Sequence, residues 1–249
     1  MKQYQDKICV ISGGSRGIGF TAAKKFASEG AIVIAFSSQL NSVMEAKNLL
    51  SKSENKEYAK NIEIQECDIS DALQRKQLLR YISDKYGRID VLFLNHGILG
   101  ICGDSLSVIK ESDFDKVMSV NLKSNFFMIK EALPLLKPGS NILITSSLRS
   151  TSPSYECCLY ALSKAALNNM VKSLGEGLLG RGIRINAIAP GIVSTDMGQG
   201  LINMDPQRYE KMAAKPEQIV DFILAICSPN IGSWLNGETY FIHGGHYKL

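Results

Sequence analysis

A short apolar run, Ile8-Cys9-Val10-Ile11, stops at Ser12-Gly13-Gly14-Ser15-Arg16-Gly17-Ile18-Gly19. Behind that turn Gly19, Ala22, Ala23 and Phe26 follow a helical pattern, which closes at Gly30. A second β-rich run covers Ala31 to Phe36. Residues 7–36 therefore read as one βαβ unit, and a helical crossover of this kind forces its two strands to be parallel.

The alternation continues along the chain. Ile62 to Cys67, Ile89 to Leu94, Asn141 to Thr145, Ile183 to Ala189 and Glu238 to Ile242 read as strands, separated by amphipathic stretches such as Phe114 to Leu136 and Tyr160 to Leu179. In the second stretch Leu167, Met170, Val171, Leu174 and Leu178 make one apolar face. Ser51 to Asn61, polar and charged, reads as an exposed loop. Seven strands alternating with helices predict a doubly wound α/β fold, a parallel sheet with helices on both faces. At 249 residues, with no repeat and no long linker, the chain is expected to form a single Rossmann-like domain over 1–249.

Charge narrows the partners. The 28 basic and 24 acidic residues give a formal charge of +4, and the Lys and Arg are scattered, so no nucleic-acid partner is expected. The apolar run after Met1-Lys2-Gln3-Tyr4-Gln5-Asp6-Lys7 is too short for a signal h-region and far below the ~20 residues of a membrane span. A cytoplasmic protein with no membrane partner is the expectation. Cys9, Cys67, Cys102, Cys157, Cys158 and Cys227 contain no C-x-x-C pair and no ligand-like cluster with the three histidines, so they read as reduced thiols without a metal. For the neighbours Cys157-Cys158, packing beside a helix start is preferred over a strained redox switch.

The glycine turn has the composition of a phosphate cradle. Without Cβ atoms the backbone can approach a pyrophosphate, and the helix start offers free N–H groups and the positive end of its dipole. The second strand ends in Phe36-Ser37-Ser38-Gln39, where a site for NAD places an acid to accept from the ribose 2′-hydroxyl. No acid is present there, Ser37 and Ser38 can donate, and Arg16 offers a guanidinium fork. NADP(H) is therefore expected over NAD(H), although a merely solvated Arg16 would leave the serines alone to set the preference.

Tyr160-Ala161-Leu162-Ser163-Lys164 puts a phenol and an ammonium on one helix face. The cation is expected to draw the phenol from about 10 toward the neutral range, where acid and base catalysis work best. That spacing is common by chance. Here it accompanies the glycine turn, Asn95-His96-Gly97, Asn121, Ser146-Ser147 and Arg184-Ile185-Asn186-Ala187-Ile188-Ala189-Pro190-Gly191. Together, from about Lys7 to Gly245, these closely resemble the short-chain dehydrogenase/reductase family.

The resemblance implies a sheet order of 3-2-1-4-5-6-7 and an oxidoreductase that moves a hydride between a nicotinamide and a carbonyl or alcohol carbon. It makes Tyr160 the acid/base, Lys164 its cationic neighbour and a holder of the nicotinamide ribose, and Ser147 the donor to the substrate oxygen, with Ser146 the less favoured twin. Asn121 would hold the water that links Lys164 to a proton relay. Gly13, Ser15, Arg16, Gly17, Ile18 and Gly19 would cradle the cofactor, with Ser37 and Ser38 at the 2′ position and Asp68-Ile69 at the adenine. Asn95 and Gly97 would line the cofactor, and Pro190, Gly191, Val193 and Thr195 would cover its nicotinamide end. A homotetramer built on the two long helices is implied, with a dimer as the alternative. Implied substrates are ketones, quinones and 3-oxoacyl thioesters. A non-catalytic NADP(H)-binding sensor or scaffold is the competing reading; the presence of Tyr160, Lys164 and Ser147 together favours the enzyme.

Four places depart from the family pattern. Ser12 stands for the usual Thr, and Leu94-Asn95-His96-Gly97 for Asn-Asn-Ala-Gly, with His96 expected to be structural rather than a base. His243 replaces a common Asp and is expected to alter a subunit contact. The substrate flap, about 198–215, is short, which predicts an open pocket around Leu99, Tyr155, Met197 and Leu201. The terminal Tyr247-Lys248-Leu249 has the basic residue and final Leu of a peroxisomal tripeptide, but Tyr247 is too large for its first position, so cytosol stays the expectation.

Overall fold

The structure, a computed structural model, describes residues 2–53, 56–103 and 106–245. His246 and Tyr247-Lys248-Leu249 lie outside the described residues. Seven parallel strands form one sheet: β1 Ile8–Ser12, β2 Ile32–Ser37, β3 Ile62–Glu66, β4 Ile89–Leu94, β5 Leu136–Thr145, β6 Arg184–Pro190 and β7 Thr239–Ile242. Their order is β3-β2-β1-β4-β5-β6-β7, as the resemblance implied. The register pairs Ile8 with Ile32 and Cys9 with Val91, so β1 is central and every one of its residues is buried.

The helices are α1 Gly17–Ser28, α2 Leu40–Ser51, α3 Lys56–Ala59, α4 Ala72–Tyr86, α5 Glu111–Met118, α6 Ser124–Ala132, α7 Cys158–Leu179, α8 Asp196–Met204, α9 Pro206–Tyr209 and α10 Pro216–Cys227. The pleat sends alternate β1 side chains to opposite layers. Cys9 and Ile11 join Ala22, Ala23 and Phe26 of α1, Val43 of α2 and Ile223 of α10. Ile8 and Val10 join Leu78 and Ile82 of α4, Met128 of α6 and Leu167 and Val171 of α7. Among the described residues no helix is long and apolar enough to cross a membrane.

The stretch read as one helix from Phe114 to Leu136 is divided differently. It begins at Glu111, where Asp113 accepts from the Lys110 backbone N–H at 3.0 Å, widens into a π-turn over Ser119–Lys123, and ends at Ala132. Leu133 still holds helical backbone, but Pro134 has no N–H to continue the helix, so the chain turns and Leu136 opens β5. β5 thus starts before Asn141, with an irregular register against β4 between Ile89 and Val91. Part of the loop expected over Ser51 to Asn61 is the single turn α3.

Candidate active site

The glycine turn joins β1 to α1 at the carboxyl edge of the sheet. Gly13 and Gly17 hold φ of 61° and 55°, left-handed backbone that glycine adopts without strain. A Cβ on Gly13 would come within 3.1 Å of the His96 Cα, and one on Gly19 would collide with the Gly13 carbonyl oxygen. The first turn of α1 carries no acidic residue, and Arg16 at its cap gives it no side-chain acceptor. Ser15 is buried, and its hydroxyl has no hydrogen-bond partner among the described residues. A donor-rich helix start, a buried unpaired hydroxyl and backbone bare of Cβ atoms fit a pyrophosphate. Ile18 packs onto the core beneath.

The other expected cofactor contacts surround this turn. Arg16 pairs with Asp196 at 3.1 Å, both well exposed, so the guanidinium bridges toward the start of α8. Ser37 is half-buried and accepts from the Gln39 N–H at 3.4 Å, and Ser38 is exposed. Asp68 closes its own turn by accepting from the Ser70 N–H and hydroxyl at 2.8 and 2.7 Å, and Ile69 beside it is buried. Pro190 ends β6 and Gly191 donates to the Ile242 carbonyl at 2.9 Å. A Cβ on Gly191 would press on His243, which places that histidine behind the loop at the end of β6. Val193 pairs with Ala214 in an isolated bridge outside the sheet, and Thr195 caps α8 by accepting from the Gly198 N–H at 3.3 Å. The Thr195 methyl would lie 3.1 Å from a Cβ on Gly17, so the start of α8 and the glycine turn face each other closely.

A polar cluster lies beside the turn. Ser12 accepts from the backbone N–H groups of Asn95 and His96 at 3.0 and 3.3 Å, and its oxygen lies 2.6 Å from His96 Nδ1. With two N–H donors already on Ser12, its proton is best placed on Nδ1, leaving the His96 Nε2–H to donate to Ser124 Oγ at 2.7 Å. Ser124 passes its own proton to the Val120 carbonyl at 2.5 Å. Burial first, then the Lys164 charge, lowers His96 to about 3, so the imidazole is neutral and structural. Leu94, where the family pattern has Asn, is fully buried in the apolar layer.

Asn121 sits in the π-turn, fully buried. Its amide clamps the Ile98 backbone, accepting at 2.8 Å and donating at 2.9 Å, and donates to Ser163 at 3.0 Å. Asn95 donates to the Gly13 carbonyl at 3.4 Å and accepts from Thr145 at 3.0 Å. Gly97 leaves room beside Lys164: a Cβ there would lie 3.3 Å from the ammonium.

Tyr160, Lys164 and Ser147 come together at the start of α7, all buried. The Ser147 hydroxyl lies close enough to the Tyr160 phenol to lower its pKa. Ser146 faces away, donating to Asn168 on α7 at 2.5 Å. Lys164 Nζ lies 5.5 Å from the phenol ring centre and donates to the Thr145 carbonyl at 2.6 Å. The expected fall in the phenol's pKa is not found. Burial raises Tyr160, more than the nearby Ser147 hydroxyl lowers it, with the Cys157 and Cys102 thiols raising it further. Burial also lowers Lys164 to about 7, so near neutral pH it is only partly charged and does little for the phenolate. The Thr145 carbonyl, the Ser12–His96–Ser124 chain and the approach of Cys102 to Cys157 were not foreseen; each joins residues far apart in sequence and has no local spacing signal.

A family model described as enoyl-(acyl carrier protein) reductase matches residues 13–247. The 3-oxoacyl-[acyl-carrier-protein] reductase FabG of Thermotoga maritima is 34% identical, over 98% of each chain. The chain belongs to the short-chain dehydrogenase/reductase family. Tropinone reductase-like 3 of Erythroxylum coca is 28% identical over 98% of this chain and 94% of that protein. A short chain dehydrogenase from Burkholderia cenocepacia, solved in complex with NADP, has a TM-score of 0.86 at 29% identity, with 98% of each chain covered. As a short-chain dehydrogenase/reductase, this protein is an oxidoreductase that acts on CH–OH/C=O groups of small molecules with a nicotinamide cofactor.

Proposed function

We propose that the protein is an NADP(H)-dependent carbonyl reductase acting on a ketone or a 3-oxoacyl thioester. The observation that carries this reading is the meeting of Ser147, Tyr160 and Lys164 in one buried cluster, with the ammonium 5.5 Å from the phenol ring centre, beside a glycine cradle fit for pyrophosphate. When bound, the dinucleotide supplies the hydride. Gly13, Ser15, Arg16, Gly17, Ile18 and Gly19 would hold its phosphates, Ser37 and Ser38 its 2′ end and Asp68 and Ile69 its adenine. Asn95, Gly97, Pro190, Gly191, Val193 and Thr195 would enclose the nicotinamide end.

Ser147 and Tyr160 aim two hydroxyls at one place, where they stabilise the charge that grows on a carbonyl oxygen as its carbon is reduced. Tyr160, kept protonated by its surroundings, is suited to donate to that oxygen. Lys164 gains charge when a polyanion lies beside it, and its ammonium then favours the phenolate that remains. Asn121 fixes the loop after β4 through Ile98, which keeps a path beside Lys164 for a water-borne proton.

Preference for NADP(H) is supported by the missing acid at Ser37-Ser38, by Arg16 and by the NADP in the Burkholderia relative's structure. The thioester class is supported by the FabG relative's name. We also place the flap at about 198–215 and a self-association surface on α6 and α7, where Phe126 and Leu162 are exposed beside an apolar groove of Leu122, Phe127, Ala166 and Met170. The test is cofactor absorbance during incubation with NADPH or NADH and a panel of ketones, diones and 3-oxoacyl thioesters. NADPH consumption well above that of NADH is expected; a chain that binds NADPH and reduces none of the panel would overturn the reading.

A further inference from the structure

Two thiols stand beside the active site without a part in the chemistry above. Cys102 lies in the loop after β4, and Cys157 ends the short helical turn Tyr155–Cys157 that leads into α7. They are 55 residues apart in sequence, yet their Sγ atoms approach to 2.7 Å. The approach is built by the main chain: Gly103 N–H donates to the Glu156 carbonyl at 2.9 Å, so the residue after one cysteine is tied to the residue before the other. Neighbours in sequence, Cys157 and Cys158, are thus not the pair the fold brings together. Cys102 is exposed and Cys157 half-buried, so one sulfur meets solvent and the second waits behind it.

The pair also touches function. Cys157 precedes Tyr160 by less than one turn of helix, and both thiols are felt by the phenol. The Cys102 loop continues from Ile98, which Asn121 holds. A bond between the sulfurs would join the two segments that flank the substrate side of Tyr160.

We propose that Cys102 and Cys157 are a redox modification site, closing to a reversible disulfide under peroxide and so fixing the mouth of the substrate pocket. Cys102, as thiolate, attacks one peroxide oxygen; the O–O bond breaks, a sulfenic acid forms, and hydroxide leaves to take up the thiol proton as water. Cys157 then attacks the Cys102 sulfur; the S–O bond breaks and hydroxide leaves with the Cys157 proton as a second water. Two thiols lose two electrons and one peroxide gains them. Burial, together with the Cys102 neighbour, pushes the Cys157 thiol up to about 12, which suits it to resolve rather than to attack first. A dithiol reductant reverses the bond by exchange.

The full chain treated with equimolar hydrogen peroxide and digested without reductant should yield a peptide pair joined through Cys102 and Cys157, lighter by two hydrogens and separated again by dithiothreitol. Cys102→Ser and Cys157→Ser should each abolish it. The effect on the pocket rests on the proposed carbonyl reduction: in the bridged protein the KM for the carbonyl substrate should change severalfold while NADPH affinity holds, and neither serine variant should respond to peroxide. A Cys157–Cys158 bridge, or oxidation of Cys102 beyond sulfenic acid with no bridge, would overturn the pairing. An unchanged KM in the fully bridged protein would overturn its control of the pocket. The peptide map decides the bridge whether or not a carbonyl is turned over.

Discussion

The two sides of the cleft are built from different materials. On the proposed cofactor side, backbone and buried polar groups do the holding: Ser12, Asn121 and Ser124 are almost wholly inaccessible, and each makes hydrogen bonds to the loop after β4 or within the π-turn. On the substrate side the chain runs through short turns and the α8 segment, with Tyr155 57% and Met197 43% exposed, and the segments meet through a few backbone bonds such as Gly103 to Glu156 and Ser194 to Ala214. Under the proposed function, the contrast gives chemistry and cofactor to the buried sheet edge and substrate choice to surface loops.

Substitutions on either side should therefore differ in kind as well as size. Tyr160→Phe, at the junction, should lower kcat by about 10²–10⁴-fold while NADPH still binds, read by single-turnover absorbance and by fluorescence titration. An equal kcat would remove the proton donor from the account.

On the buried side, His96→Ala leaves the Ser12 and Ser124 groups short of a partner and should cost about 1–3 kcal/mol in urea unfolding. It should also flatten part of the acid response. His96 binds its proton at about 3 when folded and near 6.5 when unfolded, so between those values the unfolded chain holds the extra proton. Its contribution is whole above about pH 6.5 and lost as the pH falls toward 3, with a slope of up to ~1.4 kcal/mol per unit that the alanine variant should lack. An unchanged slope would show that the imidazole is not held neutral.

Arg16→Ala should raise the KM for NADPH about tenfold, roughly 1.4 kcal/mol, with little change for NADH. Loss of the exposed Asp196 pair adds almost nothing to stability. If both cofactors weaken alike, Arg16 serves the flap and not the 2′-phosphate. Met197→Ala on the substrate side should leave the melting curve within about 0.5 kcal/mol while shifting the carbonyl KM, which separates loop specificity from scaffold stability.

The fold was legible because periodicity is local: each strand and helix carries its own apolar pattern, and the βαβ handedness leaves few ways to assemble them. The helix written from Phe114 to Leu136 failed at its far end because apolar spacing carried past Pro134 into residues that belong to β5. At the site, motif order singled out Ser147, Tyr160 and Lys164, and the fold brings these three side chains near one another. Motif spacing does not reveal electrostatics. The i, i+4 relation of Tyr160 and Lys164 predicted a lowered phenol, whereas burial of both groups raised the phenol and lowered the amine. The His96 ring and the Cys102–Cys157 contact depend on where the loop after β4 lies against β1 and against the turn before α7, which residues 84 and 55 positions apart do not announce.

The most direct trial is a crystal structure with NADP⁺ and the alcohol product of a turned-over ketone. Both the Tyr160 and Ser147 hydroxyls should lie within hydrogen-bond reach, about 2.6–3.2 Å, of the alcohol oxygen. An alcohol seated in the cleft with its oxygen held by other groups, and Tyr160 turned from it, would contradict the account.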